Sequence, residues 1–232
     1  MAISYKLIVL AVNKLHLGSL MHIPDGFLPP NVCLAGYALT GGVTWYSLRE
    51  IDRDRSLQAN IPKASLLTAA FFVASLIHIP IPPTSVHLIF NGLMGVVLGF
   101  YAFPAILIGL FFQAVMFQHG GMSTLGVNAI ILGLPAIAAH LIFKQRNRLA
   151  ARKLVLTKVL SFVSGAGALL LSASMFAILL VTHISPDMDV NAERTAILIS
   201  LGSYSIQAAI EGVFCLMLVS FLEQVKPELI QQ

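Results

Sequence analysis

A methionine followed by a histidine opens the segment Met21-His22-Ile23-Pro24-Asp25-Gly26-Phe27-Leu28-Pro29-Pro30. With a free amine at Met21, three nitrogens lie within one dipeptide: the amine, the His22 amide and His22 Nδ1. The amine and amide close a five-membered ring on a metal ion. The amide and Nδ1 close a six-membered ring. One more nitrogen completes a flat four-nitrogen set, which suits Ni(II) or Cu(II) and accommodates Co(II). His87 is the candidate for it. Read alone, the segment is more simply an ordinary polar lead-in to a helix.

Three local patterns position these residues. Pro24 fixes its own φ and turns Ile23 away from helix, and Asp25-Gly26 is a turn signal, so the segment folds back as a compact plug. In Pro80-Ile81-Pro82-Pro83-Thr84-Ser85-Val86-His87 the prolines forbid regular helix before Thr84. Thr84 or Ser85 then caps the following helix and places His87 in its first turn. A structural, hydrogen-bonded role is the plainer reading of His87, and of His78 nine residues earlier. The third pattern is Gln118-His119-Gly120-Gly121-Met122-Ser123-Thr124, with Asn128 about one turn into the next helix. Its glycine pair permits positive φ and close approach, and Thr124 is a plausible cap. The functional reading is a loop that packs on the plug and orients the site from a second layer through Asn128, His119 and His78. The plainer one is a tight connection between two helices.

Composition sets the medium. The chain has 232 residues, 57% hydrophobic and 10% charged, against about 25% charged for a soluble domain. This predicts an all-α, polytopic membrane helical bundle of about seven transmembrane helices. The expected spans are 30–48, 64–80, 86–101, 103–118, 126–143, 157–183 and 195–222. The third and fourth are short and joined by a tight turn near Tyr101 to Pro104. The net charge of +4 does not indicate nucleic acid, because the basic residues sit in short loops without interleaved aromatics. They fall in 49–63, in 144–158 and at Lys226, all on one side of a seven-span chain; the opposite loops hold only Arg194. The basic side is therefore expected to be cytoplasmic, with Met21 outside and the C-terminus inside. His22, His78, His87, His119 and His183 then lie at the outer ends, with Asp25, Asp187, Asp189 and Glu193.

Residues 1–20 hold a short apolar core, Leu7 to Val12, broken by Asn13, Lys14 and His16. They read as a start placed too early, a cleaved signal segment or a retained extension. Residues 21–232 read as a single integral membrane metal-capture domain. Cys33 and Cys215 sit in apolar segments and act as small apolar side chains rather than as a disulfide. Glu211 is the one acidic residue deep in a span; it serves either helix packing or ion chemistry. Small residues at Ala38 and Gly42, Gly92, Gly95 and Gly99, and Gly165 and Gly167 allow close helix contact. There is no Gly-x-x-x-x-Gly-Lys-Ser/Thr loop, no His-Glu-x-x-His and no credible nucleophile. Catalysis is not expected.

The segments MHIPDGFL at 21–28, PPTSVHLIFNGLMGVVLG at 82–99 and HGGMSTLGVNAI at 119–130 resemble, in order and spacing, the CbiM/NikM family. These are substrate-capturing membrane components of energy-coupling-factor transporters for cobalt and nickel. The MHIPDGF motif looks closer to the cobalt branch, where uptake serves cobalamin synthesis. The resemblance runs from Met21 to about Glu223. It implies metal ligands at Met21, His22 and His87, and transported Co²⁺ or Ni²⁺ as the only ligand, with no cofactor. It further implies a location in the cell's inner or plasma membrane. Implied partners are a transmembrane coupling subunit, cytoplasmic ATPase subunits and a small auxiliary membrane subunit. The chain departs from the family in three places. Twenty residues precede Met21, and while attached they leave no free amine there. Pro82-Pro83 replaces a glycine pair. His78 and His119 stand where Asn and Asp are expected. A different class of protein, a self-sufficient ion-coupled secondary transporter, would use Glu211 in a proton path; one intramembrane carboxylate is thin machinery for it.

Overall fold

The computed structural model describes residues 22–53, 57–81, 84–148, 153–183 and 190–230. Residues 1–20 and Met21, and with them the expectations about the leader, lie outside the described residues, as do Asp187 and Asp189. Seven α-helices occur among the described residues: α1 Pro30–Asp52, α2 Leu57–Ala74, α3 Asn91–Leu98, α4 Ala102–Phe117, α5 Leu125–Lys144, α6 Lys153–Thr182 and α7 Val190–Val225. A two-stranded antiparallel hairpin, β1 His78–Ile81 and β2 Thr84–His87, stands between α2 and α3. The chain is an all-α membrane bundle, with this short hairpin among the described residues.

The segments Asn91–Phe117, Leu125–Lys144, Val155–Thr182 and Ile197–Val225 are long and apolar enough to cross a membrane, and Asn60–Ala74 is a shorter apolar helix. The first of these is not one rod. A straight helix of 27 residues would be about 40 Å long. His87 and His119, just beyond its two ends, have ring centroids 5.2 Å apart. The chain therefore reverses between them. It does so at the 3₁₀ turn Gly99–Tyr101, entered through Gly99 at φ 61°, ψ −129°, a conformation that a Cβ disfavours. Helix α3, at eight residues, is about 12 Å long and does not cross the hydrocarbon alone. It descends from the site and α4 climbs back.

Here the structure corrects two sequence expectations. The apolar runs 64–80 and 86–101 were expected as spans, but 78–81 and 84–87 are strands. Nor does His87 lie in a helical first turn, since it ends β2. The physical reason is the alternation of proline with β-branched Ile79, Ile81, Thr84 and Val86, which favours extended chain. Helix starts only at Asn91, where Glu211 reaches across to its entry. The turn between α3 and α4 also lies slightly before the Tyr101 to Pro104 stretch expected for it.

Alternation of direction puts the starts of α1, α3, α5 and α7 at one end of the bundle and the C-termini of α1, α5 and α7 at the other. The second end is basic, holding Arg49, Arg53, Lys63, Lys144, Arg146, Lys158 and Lys226. It is tied together by the C-terminal turn. The Lys63 ammonium donates to the Leu229 carbonyl at 3.2 Å, and the Arg146 guanidinium donates to the Ile230 carbonyl while facing Glu223. The first end carries His22, His78, His87, His119 and His183.

The core that fixes this arrangement is packed closely around small residues. A Cβ on Gly126 of α5 would come within 2.6 Å of Tyr37 N in α1, and one on Gly92 within 2.5 Å of Ser164 O in α6. Gly95 meets the Ala136 carbonyl, and Gly165 would meet Cys215 Cβ at 2.8 Å. Of the small-residue positions flagged from sequence, Gly92, Gly95 and Gly165 are such contacts, whereas Gly42 and Gly167 face open space. The Gly36–Gly126 crossing was not anticipated. Cys33 and Cys215 are both buried and unpaired by any disulfide.

Candidate metal centre

The segment after residue 21 enters the bundle and is clamped. The Ile23 amide donates to Asn128 Oδ1 at 2.9 Å, and Asn128 Nδ2 donates back to the Ile23 carbonyl at 3.1 Å. The carboxamide thus pairs with one residue's backbone as a strand neighbour would. The Thr124 hydroxyl also donates to the Ile23 carbonyl, at 2.5 Å. Thr124 is therefore not the side-chain cap of α5 that its position suggested; its hydroxyl holds the plug. Ile23 itself is wholly buried.

Two residues on, Asp25 fastens the plug to the glycine loop. Its carboxylate accepts from Met122 N at 3.1 Å, Ser123 N at 2.7 Å and the Ser123 hydroxyl at 2.5 Å. The Ser123 hydroxyl, with the two backbone N–H groups, holds the Asp25 carboxyl below its ordinary 3.8, against the desolvation that opposes them. Gly120 sits at φ 80°, and Gly121 is pressed against Asp25, where a Cβ would lie 2.5 Å from Asp25 N. The sequence-derived expectation that this loop packs on the plug is met, with Asn128 and Asp25 as the fasteners. Gly121→Ala is accordingly expected to pry the loop from the plug and lower metal affinity roughly tenfold with the bundle still folded. Titration calorimetry beside circular dichroism would check it; unchanged affinity would mean the loop does not set the site.

The clamps bring three imidazoles together. His22 and His87 have ring centroids 5.0 Å apart, His22 and His119 4.8 Å, and His87 and His119 5.2 Å. One donor atom from each ring falls within 4.8 Å of the others. His22 and His87 are 1% and 2% exposed, and neither ring nitrogen of His22 has a hydrogen-bond partner. A buried imidazole without partners is costly unless something else binds it. Of the residues expected at the site, His22 and His87 meet, Asn128 lies directly behind His22, and His119 joins the cluster as a third ring rather than standing behind it. His78 is the register partner of His87 in the hairpin. Met21 lies outside the described residues. The His119 ring position has no signal in sequence beyond its residue type.

Burial, followed by the neighbouring His87 and His119, pushes the His22 pKa well below 6.5. The ring is therefore neutral near pH 7, the form that offers lone pairs to a metal. Below pH 6.5 the unfolded chain takes up a proton that the folded chain refuses, so folding loses free energy as pH falls from 6.5 toward the folded-state value. Thermal unfolding of the metal-free protein should be flat above pH 7 and decline below pH 6.5, with a shallower decline in His22→Ala. Equal slopes in both proteins would rule out His22 as the source.

His87 is held through its own chain. The Gln207 side-chain amide donates to the His87 carbonyl at 2.6 Å and to Glu211 Oε1 at 2.9 Å. Glu211 accepts from Ile89 N at 2.8 Å and Phe90 N at 2.9 Å. Phe90 is left-handed at φ 52°, a conformation that costs a non-glycine residue free energy and persists only when its surroundings impose it. Glu211, fully inside the bundle, is thus the acceptor for the first free N–H groups ahead of α3. Gln207, unnoticed from sequence, shares the role.

The family described as the cobalt uptake substrate-specific transmembrane region matches residues 22–229. The chain belongs to this family. Its similarity extends to a putative metal transport protein of Haemophilus influenzae, 39% identical over 154 residues, covering 64% of this chain and 72% of that protein. A fused nickel transport protein of Rhodobacter capsulatus is 34% identical over 166 residues, 68% of this chain but 47% of its own length. A solved transition metal transporter superposes with a TM-score of 0.69, covering 88% of this chain and 93% of that one, at 22% identity; this last likeness concerns the fold. The chain is thus a membrane protein of the cobalt and nickel transport family.

Proposed function

We propose that this chain is the substrate-capturing membrane subunit of an ATP-driven, energy-coupling-factor importer for Co²⁺ or Ni²⁺. The ion arrives at the histidine end of the bundle, sheds water and is held by His22 and His87, with Met21 contributing its amine and the His22 amide joining where that amine is free. The convergence of two buried imidazoles under a clamped plug carries this reading. The basic opposite end supports a cytoplasmic placement of that face and a location in the cell's inner or plasma membrane. A transmembrane coupling subunit, ATPase subunits and a small auxiliary membrane subunit complete the machine, because this chain has no phosphate-binding loop of its own. It is a binding component and not an enzyme.

The test is uptake of radiolabelled Co²⁺ and Ni²⁺ by cells carrying the chain with and without its partner subunits, alongside direct binding to the purified chain. The reading predicts binding by the chain alone and concentrative uptake only with the ATPase. Proton-driven accumulation by the lone chain in liposomes would favour the self-sufficient transporter instead. The placement of Glu211 weighs against that alternative, since both its oxygens are engaged by backbone N–H groups at the entry to α3.

A further inference from the structure

We infer that His119 is a third metal ligand, so that the site is a three-imidazole tripod that prefers ions accepting tetrahedral coordination, Co²⁺ and Zn²⁺, over square-planar Ni²⁺. This rests on the proposed capture of a transition ion at His22 and His87. It adds a ligand that MHIPDGF and the proline-rich segment do not contain.

The geometric argument uses the three ring separations. With a metal–nitrogen bond of about 2.0–2.1 Å and a ring centre about 1.2 Å further along, two imidazoles at a tetrahedral angle have centroids about 5.2 Å apart. At a right angle the separation is about 4.5 Å, and for a trans pair in a square plane about 6.4 Å. Three imidazoles in one square plane would give two short separations and one long. The separations here are 4.8, 5.0 and 5.2 Å. They form a nearly equilateral triangle with no trans pair, and two of the three lie closer to the tetrahedral value than to the right-angle one. The donor atoms, spread over as much as 4.8 Å, would close inward to about 3.3 Å, the edge of a tetrahedron with such bonds, on sharing one ion.

The scaffold around His119 is built to hold it there. Gln118 is left-handed at φ 53°, the His119 amide donates to the Gln113 carbonyl at 3.2 Å, and Gly120 at φ 80° carries the chain past His22. A side chain on Gly120 would lie 3.4 Å from His22 Cβ and 3.2 Å from Asn128 Nδ2. Gln113, itself fully buried, is tied to the turn after α2 by a 2.7 Å hydrogen bond to Ser75. A tripod of three imidazoles also supplies three nitrogens without drawing on the backbone. The site is then competent whether or not residue 21 carries a free amine.

The experiment uses the full chain and a version beginning at Met21, each purified in lipid nanodiscs and titrated with Zn²⁺, Co²⁺ and Ni²⁺, with visible spectra of the Co²⁺ form. The tripod predicts that both chains bind Co²⁺ with affinities within about tenfold. It also predicts intense tetrahedral d–d bands and a loss of about a hundredfold or more in Zn²⁺ and Co²⁺ affinity in His119→Ala. His119→Asp, which restores an oxygen donor, should recover part of the Co²⁺ affinity. The inference is overturned if His119→Ala binds as the parent does while His22→Ala does not, or if only the chain beginning at Met21 binds and its Co²⁺ form lacks the tetrahedral bands. Those outcomes leave capture at His22 and His87 standing. Failure of every chain to bind any of the three ions would remove both readings.

Discussion

Alanine at His22 or at His87 is expected to cost at least about a hundredfold in affinity for the transported ion while leaving the helical content unchanged. Each ring contributes a nitrogen that the remaining donors cannot replace, and removing even an outer-layer partner of a metal ligand typically costs 10–100-fold. The fold should survive because other residues hold the plug. The plug is held by Ile23 and Asp25, through Asn128, Thr124 and Ser123. In the metal-free state His22→Ala should even be neutral or slightly stabilising below pH 6.5, where the buried ring is penalised. Titration calorimetry, with circular dichroism on the same samples, measures both quantities. A His22→Ala protein that retained the parent affinity would refute the site.

The second large effect is expected at Glu211, and it should appear in stability as well as binding. Glu211→Ala strands the Ile89 and Phe90 N–H groups and frees Gln207, deep in the bundle. Each buried donor left without an acceptor costs about 1–3 kcal/mol, and Phe90 loses what holds it left-handed. A net loss of about 2–5 kcal/mol is expected, with metal affinity falling because β2 and His87 are no longer anchored to α7. Glu211→Gln keeps one carbonyl acceptor and should fall between. Chemical unfolding in detergent and metal titration of the two variants would check the order. A Glu211→Ala protein as stable as the parent, with intact metal affinity, would show the carboxylate to be idle. Intact binding and folding combined with lost transport would instead point to an ion path.

Much of this was legible from residue types. His22 and His87 could be named because Met-His before Ile-Pro-Asp-Gly and the proline-rich approach to His87 are unusual in an otherwise apolar chain. The all-α membrane bundle and the segregation of basic loops also followed from hydropathy and charge. What sequence could not supply was distance. His119 was assigned to an outer layer because nothing local says that its ring turns toward His22 and not away. Gln207 and Glu211 act on residues 120 or more positions away, which no local pattern encodes. The hairpin was hidden for a different reason. Residues 78–87 continue an apolar run, and such runs are ambiguous between buried strand and helix. The alternation of proline with β-branched residues, given more weight, would have found it. Gly99 likewise looked like one of several packing glycines until its positive φ identified it as the turning point.

The most direct measurement is X-ray absorption at the metal edge of the chain purified with its bound Co²⁺, with N-terminal sequencing of the same sample. Capture at this site predicts a nitrogen-rich first shell with at least two imidazole scattering paths, reduced by one in His87→Ala. A first shell of water and carboxylate oxygens, unchanged in His22→Ala and His87→Ala, would contradict it.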